Sequence, residues 1–383
     1  MTGSLNAFTF ATAAKIHFGV GASKKLNGEA TAVGTRALVV TGGSPSRVAS
    51  LVSQLSIPHH LFEIRDEPDV EMVTAGTALA LENRCDMIIA IGGGSVIDAG
   101  KAISALMTNR KDIMCYMEVI GNGEPLTEKT APFIAVPTTS GTGAEVTRNA
   151  VLASKAHGVK VSMRSESMLP DVAIVDPELT VSVPPSVTAA TGLDALTQVI
   201  EPYVSVKANF LTDAICEAAM VRVARSLKRA YDRGDDLIAR EDMAFASLCG
   251  GLALANAGLG AVHGFAGPIG GMFPIPHGVV CGRLLPFVFK ANVAAVSGMP
   301  DVAKKFEKVA TLLTGNPGSS VADGVRWLDT LCAHLQVDGL SKYGVARPDF
   351  DRILPAAKRA SSMKGNPVPL SDSALADILE QAL

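Results

Sequence analysis

Over the first half of the chain, short apolar runs alternate with stretches of helical periodicity. Arg36–Thr41 (RALVVT) reads as a strand, followed by a Gly-Gly-Ser-Pro-Ser turn and a helix-like Arg47–Leu55. His60–Ile64 reads as the next strand and Val70–Asn83 as a helix. Asp86–Ile91 (DMIIAI) is the clearest strand; it runs into Gly92-Gly93-Gly94-Ser95 and a helix-like VIDAGKAISAL. Phe133–Val136 and Val172–Val175 are further strands. Strands alternating with helices predict a parallel sheet covered on both faces.

After Asp176 the period changes. Val183-Pro184-Pro185-Ser186 has helix-start chemistry, since proline suits a first turn and serine can cap it. Beyond it, apolar residues recur at helical spacing through Thr188–Val204, Leu211–Tyr231, Met243–Leu259 and Val302–Leu313, and no strand pattern returns. The expected organisation is an α/β domain over residues 1–183 and a mainly helical domain over 184–383.

Ala244–Gly282 contains no Asp, Glu, Lys or Arg, a run long enough to cross a bilayer. It holds Asn256, His263, His277, three prolines and many glycines, which are costly in lipid, so it is read as a buried helix followed by an interior loop. The missing charge implies that both histidines lie deep in the protein. Net charge is −3, from 34 Lys plus Arg against 37 Asp plus Glu, which argues against a nucleic-acid or anionic-membrane binder. Six scattered cysteines without a CxxC pair suggest neither a zinc cluster nor a disulfide scaffold. The first residues lack a basic flank followed by a sustained apolar segment, so no signal peptide is expected and a reducing cytoplasm is the default.

Two segments carry candidate nucleotide chemistry. In DMIIAIGGGSVIDAGK, glycines between a strand and a helix let the backbone approach a pyrophosphate, and N–H groups at the helix start favour its charge. The spacing is not GxGxxG, and a triple glycine alone also fits a tight turn. The second segment, VPTTSGTGAEVT, likewise follows a strand and supplies hydroxyls and glycines; two such loops after neighbouring strands favour a nucleotide site. In the helical half, Asp194 and Gln198 are one turn apart on one helix face, and VHGFAGPIGGMFPIPHGVV brings His263 and His277. One carboxylate and two imidazoles suit a divalent cation, although a buried histidine is also often just a hydrogen-bonded core residue.

GGGSVIDAGK, PTTSGTGAEVT, GLDALTQVIEPYVS and VHGFAGPIGGMFPIPHG, in this order, resemble the iron-containing (group III) alcohol dehydrogenase family, from KIHFGVGA near Lys15 to Asn292. The resemblance implies a Rossmann-like N-terminal domain, an all-α C-terminal domain in the architecture shared with dehydroquinate synthase, and an active site in the cleft between them. It implies hydride transfer between NAD(P)(H) and a small alcohol or aldehyde, with Fe²⁺ or Zn²⁺, in a homodimer or larger assembly. Gly93, Gly94 and Ser95 would meet the pyrophosphate. Asp98, Thr138, Thr139 and Thr142 would line the cofactor, with Val151 and Lys160 on its nicotinamide or ribose side. The metal positions fall on Asp194, Gln198, His263 and His277, with Asp194, His263 and His277 catalytic.

Three positions depart from the family pattern. Gln198 replaces a histidine ligand, and its amide oxygen is a weaker donor than imidazole, so the site would bind metal loosely, use three ligands with water, or dispense with metal. Gly267 stands where a histidine often adjoins the nicotinamide. Gly42 stands where NAD-preferring members carry an acidic residue, with Ser44, Ser46 and Arg47 close behind; the missing carboxylate, the hydroxyls and the guanidinium suit a 2′-phosphate, which favours NADP. Rival readings are a metal-independent reductase of the maleylacetate reductase type, with Arg148 as substrate anchor; a lyase resembling dehydroquinate synthase; and a non-catalytic nucleotide-binding relative.

Overall fold

The computed structural model describes residues 7–65, 67–157 and 159–383. The first six residues, included above in the search for a signal peptide, lie outside them. The chain forms two compact units. One holds Thr12–Val183 with Asp235–Leu248; the other holds Pro184–Gly234 and Cys249–Leu383 with an N-terminal segment ending at Ala11.

The first unit contains β1 (Lys15–Phe18), α1 (Leu26–Val33), β2 (Ala37–Gly42), α2 (Ala49–Val52), β3 (His59–Ile64), α3 (Val70–Glu82), β4 (Met87–Gly92), α4 (Gly94–Thr108), β5 (Phe133–Pro137), β6 (Asn149–Ser154), β7 (Val159–Arg164) and β8 (Val172–Val175). Six strands form a parallel sheet in the order β1-β8-β5-β4-β2-β3. Its central strands are buried on both faces, which is why their sequences are continuously apolar rather than alternating. One apolar cluster gathers α3 and α4 on one side of the sheet, and a second gathers α1 and α2 with side chains of the opposite parity, such as Val39, Ile89 and Ile134.

The second unit is helical: α5 (Pro185–Val204), α6 (Phe210–Asp232), the later turns of α7 (Leu237–Ala257), α8 (Ala261–Met272), α9 (His277–Ala295), α10 (Pro300–Thr314), α11 (Val321–His334), α12 (Phe350–Arg359) and α13 (Asp372–Ala382). Proline opens α5 and α10, and Asn209 and Ser320 make reciprocal capping boxes at α6 and α11.

Several expectations needed correction. The expected helix over Arg47–Leu55 shrinks to one turn, where the Ser53 hydroxyl and Gln54 amide donate to the Ser50 carbonyl and compete with helix continuation. Strands β1, β6 and β7 went unrecognised; β6 and β7 pair antiparallel outside the main sheet. The interior loop expected after residue 259 is largely the helix α8, which accommodates Pro268. His277 is not deep: its side chain is 38% exposed, because it is the first residue of α9. Helix α9 is long and apolar enough to cross a membrane, yet 56% of its apolar window is buried within the protein, as for a core helix.

Candidate functional site

From β2 the chain moves outward to β3, whereas from β4 it moves the other way to β5, so the carboxyl ends of β2 and β4 form a topological switch point, where open parallel sheets bind ligands. Gly42 ends β2 and Gly92 ends β4. The threonine loop leaves neighbouring β5 and is tied to the glycine turn by the Thr138 N–H, which donates to the Gly92 carbonyl at 2.9 Å. The two loops interlock. A Cβ on Gly93 would lie 3.3 Å from Thr139 Oγ1, and one on Gly94 would lie 2.7 Å from Thr142 Oγ1, so a side chain at Gly94 would displace the threonine.

Gly93 is the N-cap of α4 and Ser95 lies in its first turn, where backbone N–H groups have no helical acceptor. The hydroxyls of Thr41, at the end of β2, and Ser140, in the threonine loop, are buried without a hydrogen-bond partner. Unspent donors at a helix start and at the switch point fit a polar, phosphate-bearing ligand.

Asp98 and Val151 meet each other: the Val151 N–H donates to Asp98 Oδ2 at 3.0 Å. The other Asp98 oxygen is 3.2 Å from the ammonium of Lys101, a fully buried lysine that sequence reading passed over. Lys101 also donates to Thr147 Oγ1 at 2.9 Å and to the Asn149 carbonyl at 2.5 Å. Burial pushes Asp98 up and Lys101 down, each opposed by the other's charge. This pair fastens α4 to the end of the threonine loop and the start of β6. Val151, 37% exposed, and Lys160 share a face of the β6–β7 hairpin, and Lys160 pairs with Glu67 at 3.1 Å. Arg148 pairs with Glu166 at 3.1 Å. Ser44 is exposed beyond Gly42.

The helical unit holds a second group. Ligand atoms of Asp194, His263, His277 and Cys281 all lie within 4.8 Å of one another. Asp194 Oδ1 is 3.1 Å from His263 Nε2 and 3.8 Å from His277 Nε2. Cys281, one turn beyond His277, places its Sγ 3.8 Å from His263 Nε2 and 3.7 Å from His277 Nε2. Close packing of α9 on α5 creates this convergence. A Cβ on Gly278 would fall 1.9 Å from the Ala190 carbonyl oxygen, and one on Gly282 would fall 2.5 Å from Leu193 Cδ1. Each glycine directly follows a residue of this group, so the contact that needs them presses His277 and Cys281 toward Asp194.

His263 is fixed from behind. Glu201 Oε2 lies 2.7 Å from its Nδ1, and Glu201 Oε1 accepts the Val262 N–H at 2.6 Å, capping the start of α8. Asn366, joined to Asn292 through reciprocal amide bonds, accepts the Ala261 N–H beside it. With Nδ1–H directed at Glu201, a neutral imidazole points its Nε2 lone pair at the Asp194 oxygen. Such lone pairs repel unless a proton or a cation lies between them. The proton answer raises His263 well above its ordinary value: burial opposes it, but Cys281, Asp194 and Glu201 outweigh burial. The donor set equally suits a divalent cation, with Glu201 as the outer carboxylate that orients a ligating histidine.

Gln198 is buried one turn beyond Asp194 on α5; a Cβ on Gly250 would approach its Cβ to 3.1 Å. Gly267 lies one turn beyond His263, and a Cβ there would meet nothing within 4 Å outside its chain neighbours and the backbone of its own helix. The next residue is Pro268, inside the helix, and glycine removes the side chain that a following proline would crowd. Cys281 and Glu201 escaped the sequence reading. Both carry a spacing signal, at i+4 from His277 and i+7 from Asp194, that marks a shared helix face.

Residues 13–177 match the iron-containing alcohol dehydrogenase family and residues 188–383 match the C-terminal domain of the same enzymes. The chain is 35% identical over 364 residues to 1,3-propanediol dehydrogenase of Klebsiella pneumoniae, covering 91% of this chain and 92% of that protein. It is 34% identical over 381 residues to long-chain-alcohol dehydrogenase 1 of Geobacillus thermodenitrificans, covering 96% and 94%. Among solved structures, a 1,3-propanediol oxidoreductase superposes with a TM-score of 0.91 at 33% identity, over 99% of this chain and 100% of that one. Sulfoacetaldehyde reductase from Bifidobacterium kashiwanohense, solved with NAD⁺, superposes at 0.88 with 28% identity, over 98% and 99%.

Proposed function

The chain belongs to the iron-containing alcohol dehydrogenase family, and on that premise we propose that Asp194, His263 and His277 hold the divalent metal of an NAD(P)-dependent enzyme interconverting small alcohols and aldehydes. The observation that carries this reading is the convergence of those three side chains, with Glu201 orienting His263. When bound, the metal supplies Lewis acidity toward the substrate oxygen and the nicotinamide supplies or accepts the hydride. The protein's own share is positioning. Gly93, Gly94 and Ser95 offer backbone donors to the pyrophosphate, and Thr138, Thr139 and Thr142 wall the turn. Asp98 and Lys101 hold that wall to α4 and β6 from behind. We assign the cofactor preference to NADP: Gly42 presents no carboxylate to repel a 2′-phosphate, and the exposed Ser44 offers a hydroxyl to it.

The test is a pair of substitutions read on two quantities. His263→Ala and Asp194→Asn should each lower turnover of an aldehyde with NADPH by roughly a hundredfold or more. NADPH affinity, measured by fluorescence, should stay within about threefold, since nucleotide and metal ligands come from separate parts of the chain. Unchanged turnover in both variants would overturn the metal assignment.

A further inference from the structure

We propose that Cys281 is a thiolate ligand of the metal, completing with Asp194, His263 and His277 a four-donor set in which sulfur, rather than the amide of Gln198, is the fourth protein donor; this rests on the metal reading above. Three observations carry it. The Sγ belongs to the same 4.8 Å group as the other three ligand atoms and faces both imidazole Nε2 atoms at nearly equal distance, 3.7 and 3.8 Å. Its place is built in, because Cys281 follows His277 by one turn of α9 and precedes Gly282, which lets that turn pack onto Leu193 beside Asp194. The residue is also fully buried, and a buried cation of charge +2 is neutralised within its own shell by one carboxylate and one thiolate. A neutral amide oxygen at Gln198 contributes no charge and is a poorer donor to borderline metals.

Two consequences follow from the chemistry. An O, N, N, S set favours Zn²⁺ or Fe²⁺ over Mg²⁺, Ca²⁺ or Mn²⁺. Loading the metal must also release whatever proton the metal-free cluster holds on Cys281 or an imidazole, because the ligating forms are the thiolate and the neutral ring.

The experiment uses the full chain, stripped of metal and reloaded with Co²⁺ or Zn²⁺. The Co²⁺ form of the wild type should show an intense near-ultraviolet thiolate-to-cobalt band, absent from Cys281→Ser, and the variant's Zn²⁺ affinity should fall at least about tenfold. Should Cys281→Ser fail to fold, X-ray absorption at the zinc edge of the wild type gives the same information, with one sulfur neighbour expected at about 2.3 Å. Stoichiometric metal with no thiolate band and a shell of nitrogen and oxygen alone would overturn the inference while leaving the three-ligand site standing. A wild type that binds neither Co²⁺ nor Zn²⁺ would overturn both.

Discussion

Asp194 and Glu201 lie two turns apart on one face of α5 and address the same imidazole from opposite sides: Asp194 Oδ1 is 3.1 Å from His263 Nε2, and Glu201 Oε2 is 2.7 Å from Nδ1. One helix thus supplies both an inner carboxylate, facing the cluster, and an outer one that fixes the ring. Glu201 also caps the helix on which His263 rides, so ring orientation and helix position depend on the same side chain.

Removing the outer carboxylate should therefore loosen the metal without deleting a ligand. Glu201→Ala is expected to weaken metal affinity about 10- to 100-fold, the usual effect of losing an outer-shell partner. Competition titration against a chelating dye measures this, and an unchanged affinity would show that His263 needs no such support.

Gly278 is a steric requirement. A methyl group there collides with the Ala190 carbonyl, a backbone atom that cannot swing aside. Gly278→Ala should destabilise the fold by at least about 1–3 kcal/mol and separate α9 from α5. Denaturant unfolding reads the first effect. Loss of metal binding under conditions where the variant is still folded reads the second.

The proposed preference for NADP rests on the end of β2. A Cβ on Gly42 would meet only a Val96 methyl, at 3.7 Å, an ordinary contact, so an aspartate side chain can be introduced there. Gly42→Asp should shift the ratio of kcat/KM for NADPH over NADH toward NADH by roughly tenfold or more, through repulsion of the 2′-phosphate. A wild type that already prefers NADH would defeat the assignment at the outset.

Glu145, in the threonine loop, carries a pH signature. Burial pushes its carboxyl up to about 7 from 4.5, against its own backbone N–H and the Lys101 charge. A carboxyl raised in the fold contributes stability that is complete below about pH 4.5 and is lost as the pH climbs through 7. The stability difference between Glu145→Gln and wild type should accordingly move in favour of the variant by up to about 3 kcal/mol between pH 4.5 and 8. Chemical denaturation across that range tests it, and a pH-independent difference would mean that Glu145 titrates near its ordinary value in the fold.

Much of this was legible in the sequence, and what was not has a local cause. β2, β4 and β5 announced themselves because a strand buried on both faces must be apolar at consecutive positions. The four-residue β1 and the hairpin of β6 and β7 did not: β1 is short, and the apolar positions of β1 and β7 are interrupted by Lys15, His17, Lys160 and Ser162. The glycine and threonine loops read as candidate nucleotide segments, but their interlock through Gly94 and Thr142 was not legible, because the contact joins residues 48 positions apart. Lys101 was invisible as a core residue: composition places lysine outside, and its burial is made tolerable by the Thr147 hydroxyl and carbonyl, the Asn149 carbonyl and the Asp98 carboxylate.

The sequence by itself determined the alternation of the central strands with helices, the change to helical period in the second half, and the segments bearing Asp194, His263 and His277. These are local properties, written in apolar spacing and in turn and cap residues. The tertiary structure alone decided which donors share one point in space. Cys281 reads as one of six scattered cysteines until Gly278 and Gly282 let α9 settle on α5, and Glu201 reads as an ordinary helix glutamate until α8 brings His263 against it. Convergence of this kind depends on packing between segments 60 to 90 residues apart, and no spacing within one segment encodes it.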